Sequence, residues 1–140
     1  MIRKYEISDY VDICKICNKE LRYNCEKSLV SKQLENLNED REMVFVAELN
    51  ARVVGYIHVE KYNVLYLDSM VNILGLAVLS NYQKQGLGRK LIDTAIQWAK
   101  EMGIYTLRLN SGINRKEAHQ FYRRIGFGEE KEQYRFIKNI

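Results

Sequence analysis

The clearest pattern of apolar and polar positions lies in the middle of the chain, from Ile73 to Met102. Residues 73–79 are apolar at every position except Gly75, as expected for a strand buried on both faces. A polar bend follows. From Leu87 onward, apolar side chains recur every three or four residues, which predicts a helix with one buried stripe. The centre of the chain is therefore predicted to be a strand, a turn and a helix that ends at Gly103.

The segments before this centre show shorter patterns of the same two kinds. In chain order they predict a strand at Ile2–Ile7, a helix starting at Ser8 and Asp9, a second helix from near Ser28, and strands at Met43–Leu49 and Arg52–Tyr62 joined by a bend at Asn50-Ala51. The stretch Asn63–Asn72 is ambiguous, because it fits either an extension of the second hairpin strand or a loop.

After the centre, Ile104–Leu109 alternates as a strand does, a helix runs from near Asn114 to Gly126, and a last strand is predicted around Tyr134, Phe136 and Ile137. The strands on either side of the central helix should lie parallel, because a helical crossover returns the chain in the same direction. The order of elements predicts a mixed β-sheet flanked by helices, which is an α/β or α+β fold.

Composition limits the class of protein further. With 140 residues, 46% hydrophobic and 29% charged, the chain is expected to form a single domain, residues 1–140. No apolar run is long enough to span a bilayer, and the N-terminus has no apolar signal core, so we expect no membrane partner and a cytoplasmic location. The net charge of +4 is spread along the chain, which does not indicate a nucleic-acid partner.

The three cysteines, Cys14, Cys17 and Cys25, cannot all pair within one chain. We expect reduced thiols, with Cys14 and Cys17 packed in the core. A zinc site needs a fourth ligand, but neither histidine is near in sequence and no second cysteine pair exists. No metal site is predicted.

The polar bend carries the first chemical signal. It reads Gln83-Lys84-Gln85-Gly86-Leu87-Gly88 and opens the central helix. Free backbone N–H groups and the positive end of the helix dipole make such a turn an anion site, and glycines allow a ligand to approach the backbone. A dinucleotide fingerprint would need a third glycine where Leu91 stands, and no Gly-Lys-Ser/Thr for a nucleotide-triphosphate loop exists. An ordinary tight bend is the alternative.

The segment LAVLSNYQKQGLGRKLI resembles the cofactor-binding segment of the GNAT superfamily of acyl-CoA-dependent N-acetyltransferases, and the resemblance extends over Val44–Phe127. It implies a sheet splayed at its centre, with acetyl-CoA as the cosubstrate. It further implies two sets of cofactor-binding residues. Backbone pairing with the pantetheine arm falls to Leu76, Ala77 and Val78. Pyrophosphate binding falls to Gln83, Lys84, Gln85, Gly86, Leu87, Gly88 and Arg89.

A second motif, Arg115-x-x-Ala118-His119-x-Phe121-Tyr122 followed by Gly126-Phe127, resembles the C-terminal GNAT signature. The resemblance implies that Tyr122 is the catalytic acid for the leaving thiolate and that Ala118 allows close approach of the cofactor. The common family asparagine lies seven residues before the tyrosine. This chain has Arg115 there and Asn114 one place earlier, so both are cofactor-binding candidates. The alternative for Tyr122 is a packed core tyrosine.

Acetyl transfer also requires a neutral amine. Glu60, Tyr66 and Asp68 are open candidates for the base, as is a bound water. The expected function is transfer of the acetyl group from acetyl-CoA to a primary amine of a small molecule or protein, and a homodimer is compatible with it. The alternative is a non-catalytic acyl-CoA-binding module with the same fold.

Overall fold

The computed structural model describes all 140 residues. In chain order the elements are β1 (Ile2–Lys4), α1 (Tyr10–Glu20), α2 (Lys27–Glu35), β2 (Glu42–Leu49), β3 (Arg52–Tyr62), β4 (Met70–Val78), α3 (Leu87–Glu101), β5 (Leu107–Leu109) and α4 (Lys116–Arg124). Single turns of 3₁₀ helix at Ile7–Asp9 and Ser80–Tyr82 precede α1 and follow β4. The chain divides into two compact units, Met1–Leu109 and Asn110–Ile140. None of the helices is both long and apolar enough to cross a membrane.

The first unit contains one five-stranded sheet whose spatial order follows the chain order, β1 to β5. The first three pairings are antiparallel, and β4 pairs with β5 in parallel. The predicted mixed sheet and the predicted parallel pair are therefore confirmed. The hairpin between β2 and β3 turns at Asn50 and Ala51, whose φ angles of 51° and 62° are both positive. Two successive positive φ angles match the twist of the flanking strands.

Helices cover both faces of this sheet, as two neighbouring residues of β3 show. The Tyr56 hydroxyl lies 3.2 Å from Sγ of Cys17 on α1. A Cβ built on Gly55 would lie 3.5 Å from Leu91 on α3. Because successive residues of a strand point to opposite faces, α1 and α3 pack on opposite sides of the sheet. The buried side chains between α1, α2 and the sheet include Ile13, Ile16, Leu34, Val44, Val46 and Ala77.

The bounds of several elements differ from the sequence predictions. The ambiguous stretch before the central strand divides: residues 63–69 connect two strands, and Met70–Asn72 belong to β4. The N-terminal strand stops at Lys4, and β5 begins only at Leu107. Strand length is set by hydrogen bonding to a neighbour, which alternation of apolar residues along one segment does not reveal.

The prediction of a last strand around Tyr134, Phe136 and Ile137 is wrong. Residues 127–140 form neither helix nor strand, and Tyr134 and Phe136 are 92% and 90% exposed. Alternating aromatic residues suit a strand, but a strand exists only where another segment satisfies its backbone N–H and C=O groups. No segment of the chain pairs with these residues.

Candidate functional site

The pairing between β4 and β5 is short and ends where β5 ends, at Leu109. The two strands pair only at Val71 with Leu107, Asn72 with Arg108, and Ile73 with Leu109. Beyond Ile73, β4 continues to Val78 with its other edge bonded to β3. The stretch 74–78 therefore has one edge in the sheet and one edge without a strand partner. Three of the sequence-predicted residues, Leu76, Ala77 and Val78, lie on it.

A β-bulge lies next to the last pair between β4 and β5. His58 of β3 pairs with Gly75 and the next residue, Val59, pairs with Ile73, so Leu74 has no partner on β3. Leu74 is also 49% exposed. An extra residue in one strand bends it and increases its local twist. The bulge thus bends β4 just beyond its last pair with β5.

Two side chains hold the turn that follows β4. Nε2 of Gln83 donates a hydrogen bond to the Val78 carbonyl oxygen at 2.8 Å. Glu20, the last residue of α1, accepts hydrogen bonds from the backbone N–H of Ser80 at 3.0 Å and from its hydroxyl at 2.8 Å. The turn is therefore held at its start by α1 and in its middle by the strand it leaves.

The N-terminus of α3 has the geometry of an anion site. Lys84 and Gly86 adopt left-handed backbone conformations, with φ of 63° and 81°. The first helical hydrogen bond runs from Lys90 N–H to the Gly86 carbonyl oxygen, so the N–H groups of residues 87–89 have no acceptor one turn earlier. No acidic side chain occupies the first turn of α3, and Arg89 is exposed there. The dipole and the nearby cations both favour negative charge at this end.

The remaining predicted residues lie in the second unit, residues 110–140. Asn114 and Arg115 precede α4, while Ala118 and Tyr122 lie one turn apart on it. The Tyr122 ring contacts the rings of Phe121 and Phe127 edge to face, each at 5.6 Å between centroids. Burial raises the pKa of the Tyr122 phenol, and the positive charge of Arg115 opposes that rise. Tyr122 therefore keeps its proton at neutral pH.

The structure also shows a polar row that the sequence patterns do not reveal. Glu60, Asn72 and Arg108 face one another across β3, β4 and β5. Nδ2 of Asn72 donates to Oε2 of Glu60 at 2.9 Å, and Nη1 of Arg108 donates to Oδ1 of Asn72 at 2.7 Å. The Arg108 guanidinium also lies 4.4 Å from the centroid of the Tyr62 ring. This row could be identified from the pairing of residues across the three strands. The sequence does not reveal that pairing, because the bulge at Leu74 shifts it by one residue.

Tyr66 and Asp68, the other two base candidates, lie in the connection between β3 and β4. Both side chains are exposed, Tyr66 by 81%. The structure gives neither of them a hydrogen-bond partner that would fix its position. Of the three candidates, Glu60 alone accepts a hydrogen bond from another side chain, that of Asn72.

The connection between α1 and α2 is organised by Asn18. Its Oδ1 accepts the Cys25 N–H at 2.8 Å, and its Nδ2 donates to the Cys25 carbonyl oxygen at 3.1 Å. All three cysteines are free, and burial raises the pKa of both Cys14 and Cys17. The predicted packing of Cys14 and Cys17 against the core is present, because Cys14 is buried and Cys17 packs against the core cluster.

Comparison with known proteins identifies the family. The model of the acetyltransferase (GNAT) family matches residues 10–127. An uncharacterized N-acetyltransferase, MJ1207, of Methanocaldococcus jannaschii is 32% identical over 98 residues, which are 69% of this chain and 43% of that protein. The chain thus spans less than half the length of that relative. The aminoalkylphosphonate N-acetyltransferase of Salmonella typhimurium is 28% identical over 134 residues, covering 95% of this chain and 84% of that protein.

Solved structures share the fold over nearly the whole chain. A transcriptional regulator from Bacillus halodurans C-125 superposes with a TM-score of 0.88 at 22% identity, covering 99% of each chain. An aminoglycoside acetyltransferase, AAC(6')-Iy, in complex with a CoA bisubstrate analogue, superposes with a TM-score of 0.83 at 17% identity, covering 100% of this chain and 98% of that one. At these identities the likeness concerns the fold alone. Since the family model covers most of the sequence, however, the chain belongs to the acetyltransferase (GNAT) family, a family of acetyl-CoA-dependent enzymes.

Proposed function

We propose that this protein transfers the acetyl group of acetyl-CoA to a primary amine of a small molecule or protein. The observation that carries the proposal is one continuous stretch, residues 74–89. It joins a strand edge without a partner to a turn and a helix N-terminus with free N–H groups. An extended arm that ends in a pyrophosphate needs both features in that order.

The cofactor contacts follow from this stretch. Backbone groups of Leu76, Ala77 and Val78 pair with the amides of the pantetheine arm, as a strand would. The pyrophosphate accepts hydrogen bonds from backbone N–H groups in the turn, those of Lys84, Gln85, Gly86, Leu87, Gly88 and Arg89. Gln83 contributes by holding the turn against Val78. In the second unit, Asn114 and Arg115 contact the cofactor, and the small Ala118 lets it approach α4.

Tyr122 acts on the leaving group. The neutral amine attacks the thioester carbonyl, the new N–C bond forms as the C–S bond breaks, and the coenzyme leaves as a thiolate. A thiol has an ordinary pKa of about 8.5 and a phenol one of about 10, so complete proton transfer from Tyr122 requires assistance. Burial keeps the phenol protonated. It therefore donates a hydrogen bond to the developing thiolate. As the thiol forms, Tyr122 gives up its proton and takes one from the nitrogen, which must lose a proton to become the amide, and this exchange supplies the assistance.

The acceptor class is drawn from the relatives. The Salmonella typhimurium relative is named for an aminoalkylphosphonate, and the solved structure named above is an aminoglycoside acetyltransferase. Both acceptors are amines on small polar molecules. The first panel of acceptors should therefore contain 2-aminoethylphosphonate, neamine and a short peptide with a free N-terminus.

Transfer of radiolabel from acetyl-CoA to a member of this panel tests the proposal. The expected result is acetylated amine and free coenzyme A in equal amounts, with saturation in both substrates. Calorimetry with acetyl-CoA alone is the companion measurement. Binding of acetyl-CoA without transfer to any member would instead identify an acyl-CoA-binding module, and absence of binding would contradict the cofactor site itself.

A further inference from the structure

The polar row of Glu60, Asn72 and Arg108 lies one residue from the end of the pairing between β4 and β5. Asn72 pairs with Arg108, and the next pair, Ile73 with Leu109, is the last one because β5 ends there. The row is on the same face of the sheet as Tyr56, because residues 56, 58 and 60 of β3 alternate with those that point to α3. That face is the one covered by α1.

The path of the cofactor brings the reacting group towards this row. A pyrophosphate bound at the start of α3 leaves the pantetheine arm to run back along the open edge of β4, from Val78 towards Ile73. Pairing with β5 resumes at Ile73, so the arm cannot follow the strand edge further. The thioester end therefore lies near Leu74 and Gly75, and Asn72 is roughly 7–10 Å farther along the strand at about 3.3 Å per residue.

Glu60 has a carboxylate oxygen without a hydrogen-bond partner in the protein. Its Oε2 accepts the hydrogen bond from Asn72, whereas its Oε1 accepts none within the protein. The neighbouring carboxylate on the same face, Glu42, pairs directly with Glu60 across the strands, but Oε1 of Glu42 is only 2.7 Å from Nε2 of His58. An ionised carboxylate with a fixed orientation and a free oxygen is suited to bind an ammonium group and to accept a proton from it.

We propose that Glu60 binds the ammonium group of the acceptor and takes its proton, and that Asn72 and Arg108 are positioning residues for Glu60. This inference rests on the proposed acetyl transfer. In the step, one N–H bond of the ammonium breaks and its proton passes to the Glu60 carboxylate. The neutral amine then attacks the thioester carbonyl and the C–S bond breaks. The nitrogen gives up its second proton as the amide forms, which balances the proton that the leaving thiolate takes up, and the proton on Glu60 returns to solvent after the product leaves. The base thus lies on β3, one strand away from the strand that binds the pantetheine arm.

Steady-state kinetics of Glu60→Gln tests the proposal, with the panel member that the wild-type protein acetylates fastest. Loss of the base should lower kcat/KM for the amine by about 100-fold. Glutamine can still accept the hydrogen bond from Asn72, so the fold and the acetyl-CoA dissociation constant should stay within twofold. Glu42→Gln is the matched control on the same face and should stay close to the wild-type rate.

The pH profile separates a base from a purely structural residue. The ionisable groups that face Glu60 on the sheet are Glu42 of β2, His58 and Tyr62 of β3, and Arg108 of β5. In Glu60→Gln only the fraction of amine already neutral in solution reacts, and this fraction rises tenfold per pH unit below the amine pKa. The deficit of the variant should therefore shrink steadily as the pH approaches the pKa of the acceptor. The deficit should shrink in the same way in the double variant Glu60→Gln/Glu42→Gln, which also lacks the Glu42 carboxylate.

Asn72→Ala tests the positioning role. Because Asn72 acts through Glu60, it should lower kcat/KM by about tenfold in the wild-type background. It should cause no further loss in the Glu60→Gln background.

A wild-type rate in Glu60→Gln would overturn the inference, as would a deficit that stays constant with pH. Equal losses from Asn72→Ala in both backgrounds would overturn the positioning role. A wild-type protein that acetylates no member of the panel would contradict the proposed function itself. That failure is visible before any variant is made.

Discussion

Gln83 donates a hydrogen bond from its side chain to the Val78 carbonyl oxygen, 2.8 Å away and five residues back along the chain. The bond closes the turn between β4 and α3 on itself. It fixes the direction in which the chain leaves the strand, and so the position of the N–H groups at residues 84–89 relative to the strand edge. A turn held in its bound form before the ligand arrives binds more tightly, because less conformational entropy is lost on binding.

Replacement of Gln83 by alanine should therefore weaken acetyl-CoA binding. A single neutral hydrogen bond contributes about 0.5–1.5 kcal/mol, which corresponds to a loss of roughly 2- to 13-fold in affinity. Isothermal titration calorimetry of Gln83→Ala measures it directly. Gln97→Ala, on the exposed face of α3, is the control and should bind like the wild type. Equal acetyl-CoA affinities in the two variants would contradict the prediction that the Gln83 side chain strengthens binding.

Gly88 should show opposite effects on stability and on binding. It is the second residue of α3, where alanine is preferred to glycine by about 0.5–1 kcal/mol. Gly88→Ala should thus raise the free energy of unfolding in urea, yet lower acetyl-CoA affinity by about tenfold, because its methyl group obstructs approach to the backbone. Asp93→Ala, on the exposed face of α3, should raise stability without changing affinity. A Gly88→Ala protein that binds as tightly as the wild type would contradict the proposed pyrophosphate site.

Tyr122→Phe tests the proposed acid. Loss of the hydroxyl should lower kcat by about 100-fold while the acetyl-CoA dissociation constant barely changes. The sign of the pH effect follows from the raised pKa of Tyr122. An acid that must carry its proton is active below its pKa, so any loss of wild-type activity from its ionisation should occur above pH 10. The control is Tyr134→Phe, whose hydroxyl is exposed. Unchanged turnover under conditions where chemistry limits the rate would exclude Tyr122 from the mechanism.

Gly75 and Tyr56 should be coupled in stability. A Cβ built on Gly75 would lie 2.8 Å from the Tyr56 hydroxyl, and the nearest ring carbons are 3.4 Å away. Gly75→Ala should therefore displace the buried Tyr56 and cost about 1–3 kcal/mol. In a Tyr56→Phe background the hydroxyl is gone, so the same change should cost much less. Urea unfolding of the four proteins gives the coupling energy, and strictly additive losses would show that the two residues do not meet.

Asp12 should make the free energy of unfolding depend on pH in the acid range. Its carboxylate accepts hydrogen bonds from the Val53 N–H and from Arg52, each at 3.0 Å. Burial raises the pKa of Asp12, but these hydrogen bonds outweigh burial and leave the pKa below its ordinary value. Because the folded pKa is depressed, the stabilisation is present above the ordinary pKa of about 3.9 and is lost as the pH falls through the folded value.

Asp12→Asn should accordingly lower the free energy of unfolding at pH 7 by roughly 1 kcal/mol, because a neutral amide has one acceptor oxygen and cannot accept both hydrogen bonds. The difference from the wild type should vanish near pH 2. Asp93→Asn is the exposed control. A difference that is the same at both pH values would show that ionised Asp12 is not what stabilises the fold.

The local patterns of the sequence determined the elements that contain their own signals. Helix α3 has an apolar stripe along its whole length, and the glycines at 103 and 126 follow the ends of α3 and α4 closely. The turn from Gln83 to Gly88 and the motif around Tyr122 were likewise readable, because their chemistry depends on residues close together in the chain. Short-range spacing fixes which side chains share a helix face, so these features need no knowledge of the rest of the molecule.

Only the tertiary structure decided how the strands align. Asn72 and Arg108 are 36 residues apart in sequence, and Cys17 and Tyr56 are 39 apart. Neither contact can be predicted from the periodicity of apolar residues within one segment. The bulge at Leu74 shifts the register of β4 by one residue, which changes which side chains face Glu60. The predicted strand near Tyr134 failed for the same reason: alternation describes one segment, whereas a strand and its register are properties of a hydrogen-bonded pair.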